Sequence, residues 1–324
     1  MEHRAEAWYR WRTSHWQDWP LTELLESKQR RSTRISVVIP ARNEERTVAG
    51  VVRLLVRALM SETPLVDELV VIDSFSTDAT ADVASAAGAI VHRACDIAPA
   101  LGTYRGKGEA LWKSLLVTAG DLLVFVDADL TQWGPHFVTG LLGPLLADED
   151  VRLVKGFYTR IRTEADGSVS TEGGRVTELV ARPVLSLWWP HLAGVVQPLA
   201  GEWAVRRSLM ENLSIPVGYG VELSTLLDTE SWHGLNALAQ VDLGSRAHRH
   251  QADHDLAVMA AELLAVAERR RPGQHGHISD ATLEQFVRED GRLLPRSRAV
   301  PTHERPPAST VLAAERGGLL GAAP

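Results

Sequence analysis

The chain has 324 residues, enough for one large α/β domain with additions or for two packed domains, and its 45% hydrophobic and 23% charged content is an ordinary globular balance. A formal net charge of -7 leaves no basic excess to neutralise a phosphate backbone, which argues against broad nucleic-acid binding. A single cysteine, Cys95, excludes a disulfide framework and a cysteine-based zinc site, and no apolar run has membrane length; a soluble cytoplasmic enzyme is expected.

Residues 1–30 carry Trp8, Trp11, Trp16 and Trp19, then a short amphipathic helix over 21–28. Tryptophan at that density docks a terminal arm, either on its own chain or across a homodimer. Residues 35–40 form the first strand, β-branched and stopped by Pro40. Asn43 is placed to cap the helix bearing Val48, Val51, Val52, Leu55 and Leu59, and Asn43 with Glu44 reads equally as polar contact to a nucleotide at a strand's carboxyl end. The second strand covers 68–73. Ser76, Thr77 and Asp78 are explained by initiation of the helix 81–87, whereas Asp73, at the end of the apolar run, is not. Residues 88–92 form a third strand. Two glycines then flank Lys107 at a helix start, which suits phosphate without having the spacing of a Walker A loop.

Leu122 to Val126 is an unbroken apolar run, short enough for a strand buried on both faces of a parallel sheet. It stops at Asp127 and Asp129, with Ala128 between them. In an extended chain both carboxylates point the same way, and two like charges there are costly without a cation between them. A divalent metal holding a diphosphate resolves that cost; a strand-ending turn capped by aspartate is the alternative. Strand–helix alternation with polar loops at the strands' carboxyl ends predicts a doubly wound, mostly parallel sheet with its ligand at those ends.

In the second half, residues 151–158 read as a strand and 171–178 start a helix toward Pro183. Gly174, Arg175 and Thr177 there form either an anion site or a hinge with a surface arginine. Residues 240–244 form a further strand, after which His248 could complete a metal site, though a lone histidine is more often structural or solvated. Helices are expected over 255–269 and 280–293, and disorder from Pro295 onward.

Together these segments resemble the glucosyl-3-phosphoglycerate synthases, retaining glycosyltransferases of the GT-A fold that use a nucleoside-diphosphate glucose and a divalent metal. The match runs from about Trp16 to His250. It is carried by Pro40-Ala-Arg-Asn-Glu44, Ile72-Asp-Ser-Phe-Ser-Thr-Asp78, Gly106-Lys-Gly-Glu-Ala-Leu-Trp112 and Val126-Asp-Ala-Asp-Leu130, and more specifically by Gly173-Gly-Arg-Val-Thr-Glu-Leu-Val-Ala-Arg-Pro183, Gly218-Tyr-Gly-Val-Glu222 and Arg246-Ala-His-Arg249. The resemblance implies a GT-A-type, Rossmann-like sheet flanked by helices with a C-terminal helical extension. Pro40, Ala41, Asn43, Glu44 and Ser74 would contact the uracil and ribose, Lys107 the nucleotide, Asp127 and Ala128 the ribose or sugar. Asp129 and His248 would ligate Mg²⁺ or Mn²⁺. Gly174, Arg175, Thr177 and His250 would meet 3-phosphoglycerate, with Tyr219 and Glu222 near the sugar and the acceptor hydroxyl. Glu222, Lys107 and Asp127 are the expected catalytic residues. The sequence departs from the family pattern at Ala128 in place of serine, at Arg42 and Phe75, and at His250 in place of asparagine. The last leaves open whether the glycerate acceptor is phosphorylated.

The expected division is a docking arm over 1–30, a nucleotide-sugar subdomain over 31–130, an acceptor and catalytic subdomain over 131–255, C-terminal helices over 256–294 and a disordered tail over 295–324. The expected reaction moves glucose, most readily from UDP-glucose, to the 2-hydroxyl of 3-phosphoglycerate. A mannosyl-3-phosphoglycerate synthase using GDP-mannose is the nearest alternative and a sugar-phosphate nucleotidyltransferase a more distant one. No membrane partner is expected.

Overall fold

The apolar runs of the first half become strands lying side by side, and those at 35–41, 68–73 and 122–125 are buried on both faces. The computed structural model describes residues 2–163, 169–170, 174–247, 253–273, 281–289 and 292–320. Helix α1 (His3–Arg12), strand β1 (Thr13–His15) and helix α2 (Leu21–Arg31) come first in the chain, and β1 pairs with a strand from its second half. Strands and helices then alternate through β2 (Ile35–Ala41), α3 (Val48–Leu55), β3 (Glu68–Asp73), α4 (Thr80–Ala86), β4 (Ile90–Arg93), α5 (Lys107–Ser114) and β5 (Leu122–Phe125). Next come α6 (His136–Ala147), β6 (Leu153–Thr163), β7 (Val169–Ser170), α7 (Arg182–Trp188), β8 (Trp203–Arg206), α8 (Arg207–Met210), β9 (Ile215–Pro216), α9 (Val221–His233), β10 (Leu238–Ala247) and α10 (Asp253–Arg270). The C-terminal part holds β11 (Thr282–Glu289), β12 (Arg292–Ala299), β13 (Glu304–Arg305) and α11 (Ala308–Leu320).

The main sheet has the order β1-β10-β6-β8-β5-β2-β3-β4, with β7 paired to β6. Along that path β8 runs antiparallel to both its neighbours, β6 and β5, and all the other pairs are parallel. Alternate residues explain the unbroken apolar runs. Val38, Val70, Ile72 and Phe125 enter the core on one face, while Val37, Ile39, Val71 and Val124 enter the core on the other. The register places Ala41 opposite Asp73, so β2 and β3 end together, and Val38 opposite Phe125, so β5 stops beside them and its continuation through Asp127 runs alongside the end of β2. The mostly parallel sheet agrees with the expected fold class.

Two expectations for the C-terminal part fail. Residues 280–293 were expected as a helix; β11 and β12 instead form an antiparallel hairpin with Phe286 opposite Pro295. Thr282, Phe286 and Val287 favour strands, and the partner strand that decides the matter lies outside any local period. The tail from Pro295 is ordered through residue 320, although its composition reads as disorder. It is held at a few points: β13 pairs with β9, and the Trp112 indole donates to the Pro306 carbonyl at 2.7 Å. Among the described residues no helix is long and apolar enough to cross a membrane.

Candidate active site

The ends of β2, β3 and β5 open into a cavity of about 310 Å³, within the size range of small-molecule sites. Its wall includes Pro40, Ala41, Glu44, Ser74, Lys107, Asp127, Ala128, Asp129, Tyr219 and Glu222, so it gathers most of the residues the sequence singled out. Ser74 is tied to the neighbouring strand end, its amide donating to the Ala41 carbonyl at 2.9 Å. Asn43 is an exception. It does not cap α3, whose preceding residue is Thr47, and it adopts a left-handed φ of 56°. Its side-chain oxygen accepts from the Thr77 amide at 2.8 Å, which joins the loops after β2 and β3. Asn43 therefore shapes the cavity from behind and does not line it.

The charged floor is one connected network. Lys107 Nζ lies 2.7 Å from Asp127 and 2.8 Å from Glu222. Arg246, at the end of β10, pairs with Glu202 at 2.5 Å, Asp129 at 3.2 Å and Asp127 at 3.6 Å, and donates to the Tyr158 hydroxyl at 2.9 Å. Burial opposes charge on Lys107, but Asp127 and then Glu222 outweigh it and hold the ammonium well above its ordinary value. Burial likewise pushes Asp127 up, and Lys107 and Arg246 overcome this to hold its carboxyl well below the usual range. Both are therefore ionised at neutral pH. A second lysine, Lys155, is 2% exposed and donates to the Ala200 carbonyl at 2.9 Å. Burial brings it down to about 7, against the pull of Glu222.

Close backbone approach makes this arrangement possible. A Cβ on Gly108 would overlap the Pro216 carbonyl, and the Gly108 and Glu109 amides donate to the carbonyls of Gly218 and Val217 at 3.0 and 2.9 Å. Helix α5, bearing Lys107, is thus stitched to the turn bearing Tyr219 and Glu222. A Cβ on Gly201 would overlap the Asp127 carboxylate in the same way. From the outer side, Glu262 on α10 accepts the Tyr219 amide at 2.5 Å, and Met259 and Leu263 of the same helix line the cavity.

Arg246, Glu202, Tyr158, Leu199, Lys155 and Glu262 carry no role in the sequence reading. Glu202 and Arg246 do leave a signal, because each is a charge set among residues of a buried strand or turn. Asp73, left unexplained by capping, is 5% exposed, and its Oδ1 meets no partner among the described residues. Gly174, Arg175 and Thr177 lie at the start of the helical segment leading into α7, off the cavity wall. Thr177 is buried and Arg175 exposed. His248 and His250 lie outside the described residues.

The donor set suits a hard divalent cation shared with a ligand. Among the described residues no cluster of three or more His, Cys, Asp or Glu side chains could hold a metal by itself. Asp129, however, lines the cavity and commits Oδ1 to Arg246 while Oδ2 accepts no hydrogen bond among the described residues. Two cations, Lys107 and Arg246, face four carboxylates in the network, so the floor carries a negative excess beside the cavity. Magnesium-type ions are typically held by one or two carboxylates plus substrate phosphates, and such a site fits here.

Comparison with known proteins agrees with the geometry. The sequence model for Glycosyl transferase family 2 matches residues 36–185. A glucosyl-3-phosphoglycerate synthase from Mycolicibacterium smegmatis is 44% identical over 308 residues, covering 94% of this chain and 98% of that protein. One from Petrotoga mobilis is 41% identical over 300 residues, covering 90% and 91%. The crystal structure of the Mycobacterium tuberculosis glucosyl-3-phosphoglycerate synthase in complex with Mn²⁺, UDP-glucose and phosphoglyceric acid superposes with a TM-score of 0.80 at 41% identity, over 90% of this chain and 95% of that one. With the parallel sheet, the paired aspartates and the lysine at the head of α5 all in place, the chain belongs to the glucosyl-3-phosphoglycerate synthase family.

Proposed function

We propose that this protein transfers glucose from UDP-glucose to the 2-hydroxyl of 3-phosphoglycerate, with retention of configuration and with Mg²⁺ or Mn²⁺ as cofactor. The observation that carries the reading is the cavity wall, where Lys107, Asp127, Asp129 and Glu222 converge at the strand ends. The relatives' names, and the UDP-glucose and phosphoglyceric acid bound in the tuberculosis structure, support the choice of donor and acceptor.

In this reading Pro40, Ala41, Glu44 and Ser74 hold the uridine, and Asp127, kept ionised by Lys107 and Arg246, accepts from ribose or sugar hydroxyls. Asp129, with His248, would hold the metal. When bound, that ion supplies Lewis-acid stabilisation of the charge developing on the departing diphosphate. Lys107 adds a fixed positive charge on the same side. Gly174, Arg175 and Thr177 orient the phosphate or carboxylate of the acceptor, and Tyr219 and Glu222 border the sugar. The bond from the glucosyl C1 to the β-phosphate oxygen breaks, the bond from C1 to the acceptor oxygen forms on the same face, and the hydroxyl proton passes to the leaving phosphate. The division into a donor part over 31–130 and an acceptor part over 131–255 belongs to the same proposal. So does a homodimer, which exposed Trp11, Leu187 and Trp232 support and which solution mass tests. A single cysteine supports a cytoplasmic setting, testable by locating the protein in fractionated cells.

The test incubates the protein with Mn²⁺ or Mg²⁺, either UDP-glucose or GDP-mannose, and either 3-phosphoglycerate or glycerate, with the product identified by mass and NMR. Glucosyl-3-phosphoglycerate from the UDP-glucose arm is expected. Product only from GDP-mannose, or only from free glycerate, would overturn the assignment. Arg175→Ala should raise the KM for 3-phosphoglycerate several-fold more than that for UDP-glucose, and equal effects on both would remove Arg175 from the acceptor site.

A further inference from the structure

The segment that composition marks as disordered reaches the first turn of α5 through one buried side chain. Pairing of β13 with β9 sets Arg305 opposite Ile215 and turns it inward, where it is 6% exposed. Its guanidinium donates to both carboxylate oxygens of Glu109, at 2.7 and 2.6 Å, and to the carbonyls of Leu101 and Gly102, each at 2.9 Å. The rings of Tyr104 and Trp112 pack against it, with centroids 4.6 and 4.9 Å from Cζ. Glu109 is wholly buried.

These partners bracket Lys107 in the chain. Leu101, Gly102 and Tyr104 lie in the loop before α5, and Glu109 lies in its first turn. A second buried cation, Lys113, reaches the same Gly102 carbonyl at 3.0 Å from the inner side of the helix. Between the two anchored stretches stand Gly106, with a φ of 149°, and Gly108, both pressed against the backbone of residues 216–218. The path from Gly102 to Glu109 is therefore fixed at both ends by one planar fork, a geometry that lysine's single ammonium cannot reproduce.

We propose that Arg305 is a positioning residue for the donor site: it staples the loop before α5 to the first turn of that helix and so sets where the Lys107 ammonium stands between Asp127 and Glu222. The proposal rests on reading the cavity as a nucleotide-sugar site. It makes the C-terminal strand part of the catalytic unit, although nothing from that strand lines the cavity.

The competing explanation is that Arg305 only neutralises a buried carboxylate. Arg305→Met combined with Glu109→Gln separates the two, because it removes both charges of the pair together, while Lys113 keeps its hydrogen bonds to the Gly102 carbonyl and the Thr103 hydroxyl. The expected variant unfolds within a few degrees of the parent, yet binds UDP in the presence of Mn²⁺ several-fold more weakly by calorimetry. Its kcat for glucosyl transfer falls by about tenfold or more, with the KM for 3-phosphoglycerate within twofold of the parent value. Parental UDP affinity and kcat in this stable variant would overturn the proposal. Should the double variant not fold, Arg305→Lys decides, since it keeps the charge and loses the fork: reduced UDP affinity supports positioning and parental affinity refutes it. Failure of the functional reading looks different, because the unaltered chain itself would then form no product or bind no UDP.

Discussion

Asp127 and Asp129 are two residues apart, yet their surroundings divide their work. Asp127 sits between Lys107 and Arg246, whereas Asp129 keeps one oxygen open to the cavity. Spacing could locate the pair but could not tell them apart, because the groups that do so come from positions 107, 202 and 246. The same reason hid Glu262. Burial under the Tyr219 turn raises its carboxyl to about 7. Between the ordinary value of about 4.3 and that one, the folded chain keeps a proton that the unfolded chain has released. The associated stability is full below the lower value and is lost as pH rises through about 7. Glu262→Gln, neutral at every pH, removes this slope. In thermal unfolding the variant should gain on the parent between pH 5 and pH 8 by about 1–3 kcal/mol, taking each pKa unit as about 1.4 kcal/mol and discounting for relaxation. A difference that stays flat across that window would mean the carboxyl titrates normally.

At the level of elements, β2, β3 and β5 were legible because a parallel strand covered on both faces must be apolar throughout, and no other short element needs that. The hairpin of β11 and β12 was not legible, because its halves specify each other and neither has a distinctive period of its own. Helix α5 lies between these cases. Its start is visible in Gly106-Lys-Gly108, but the reason for the second glycine is not phosphate approach alone. Gly108 lets the first turn of α5 lie against the backbone of Pro216 and Gly218, so one contact holds both the Lys107 and the Glu222 ends of their ion pair. Gly108→Ala forces those backbones apart. An overpacked contact of this kind costs about 1–3 kcal/mol, and the Lys107–Glu222 pair should separate with it. The expected result is a lower Tm together with a kcat reduced at least tenfold; a variant that loses stability but keeps the parental kcat would show that the pair does not depend on this contact.

For the whole molecule, the cavity is a seam. Ala41, Ser74 and Asp127 come from the first half of the chain, and Tyr158, Tyr219, Arg246 and Leu263 from later segments. A ligand held there touches both sides and must stabilise the folded state as a unit, since the unfolded chain assembles none of these contacts. UDP at about a hundredfold excess over its Kd contributes about 2.7 kcal/mol, and for a chain of this size each kcal/mol is worth about 2 °C in Tm. A rise of about 5 °C with UDP and Mn²⁺ together is therefore expected. The negative excess of the floor makes the two ligands interdependent: the diphosphate adds charge that Lys107 and Arg246, already engaged by carboxylates, do not balance. Mn²⁺ should accordingly add most of its stabilisation only when UDP is present, and UDP should gain little without it. Asp129→Ala should abolish that mutual increment and leave the Tm of the unliganded chain within a few degrees of the parent, because its carboxylate is partly exposed and among the described residues pairs with Arg246 alone, which keeps Glu202. An Asp129→Ala variant in which Mn²⁺ still enhances the UDP shift would place the metal elsewhere in the seam.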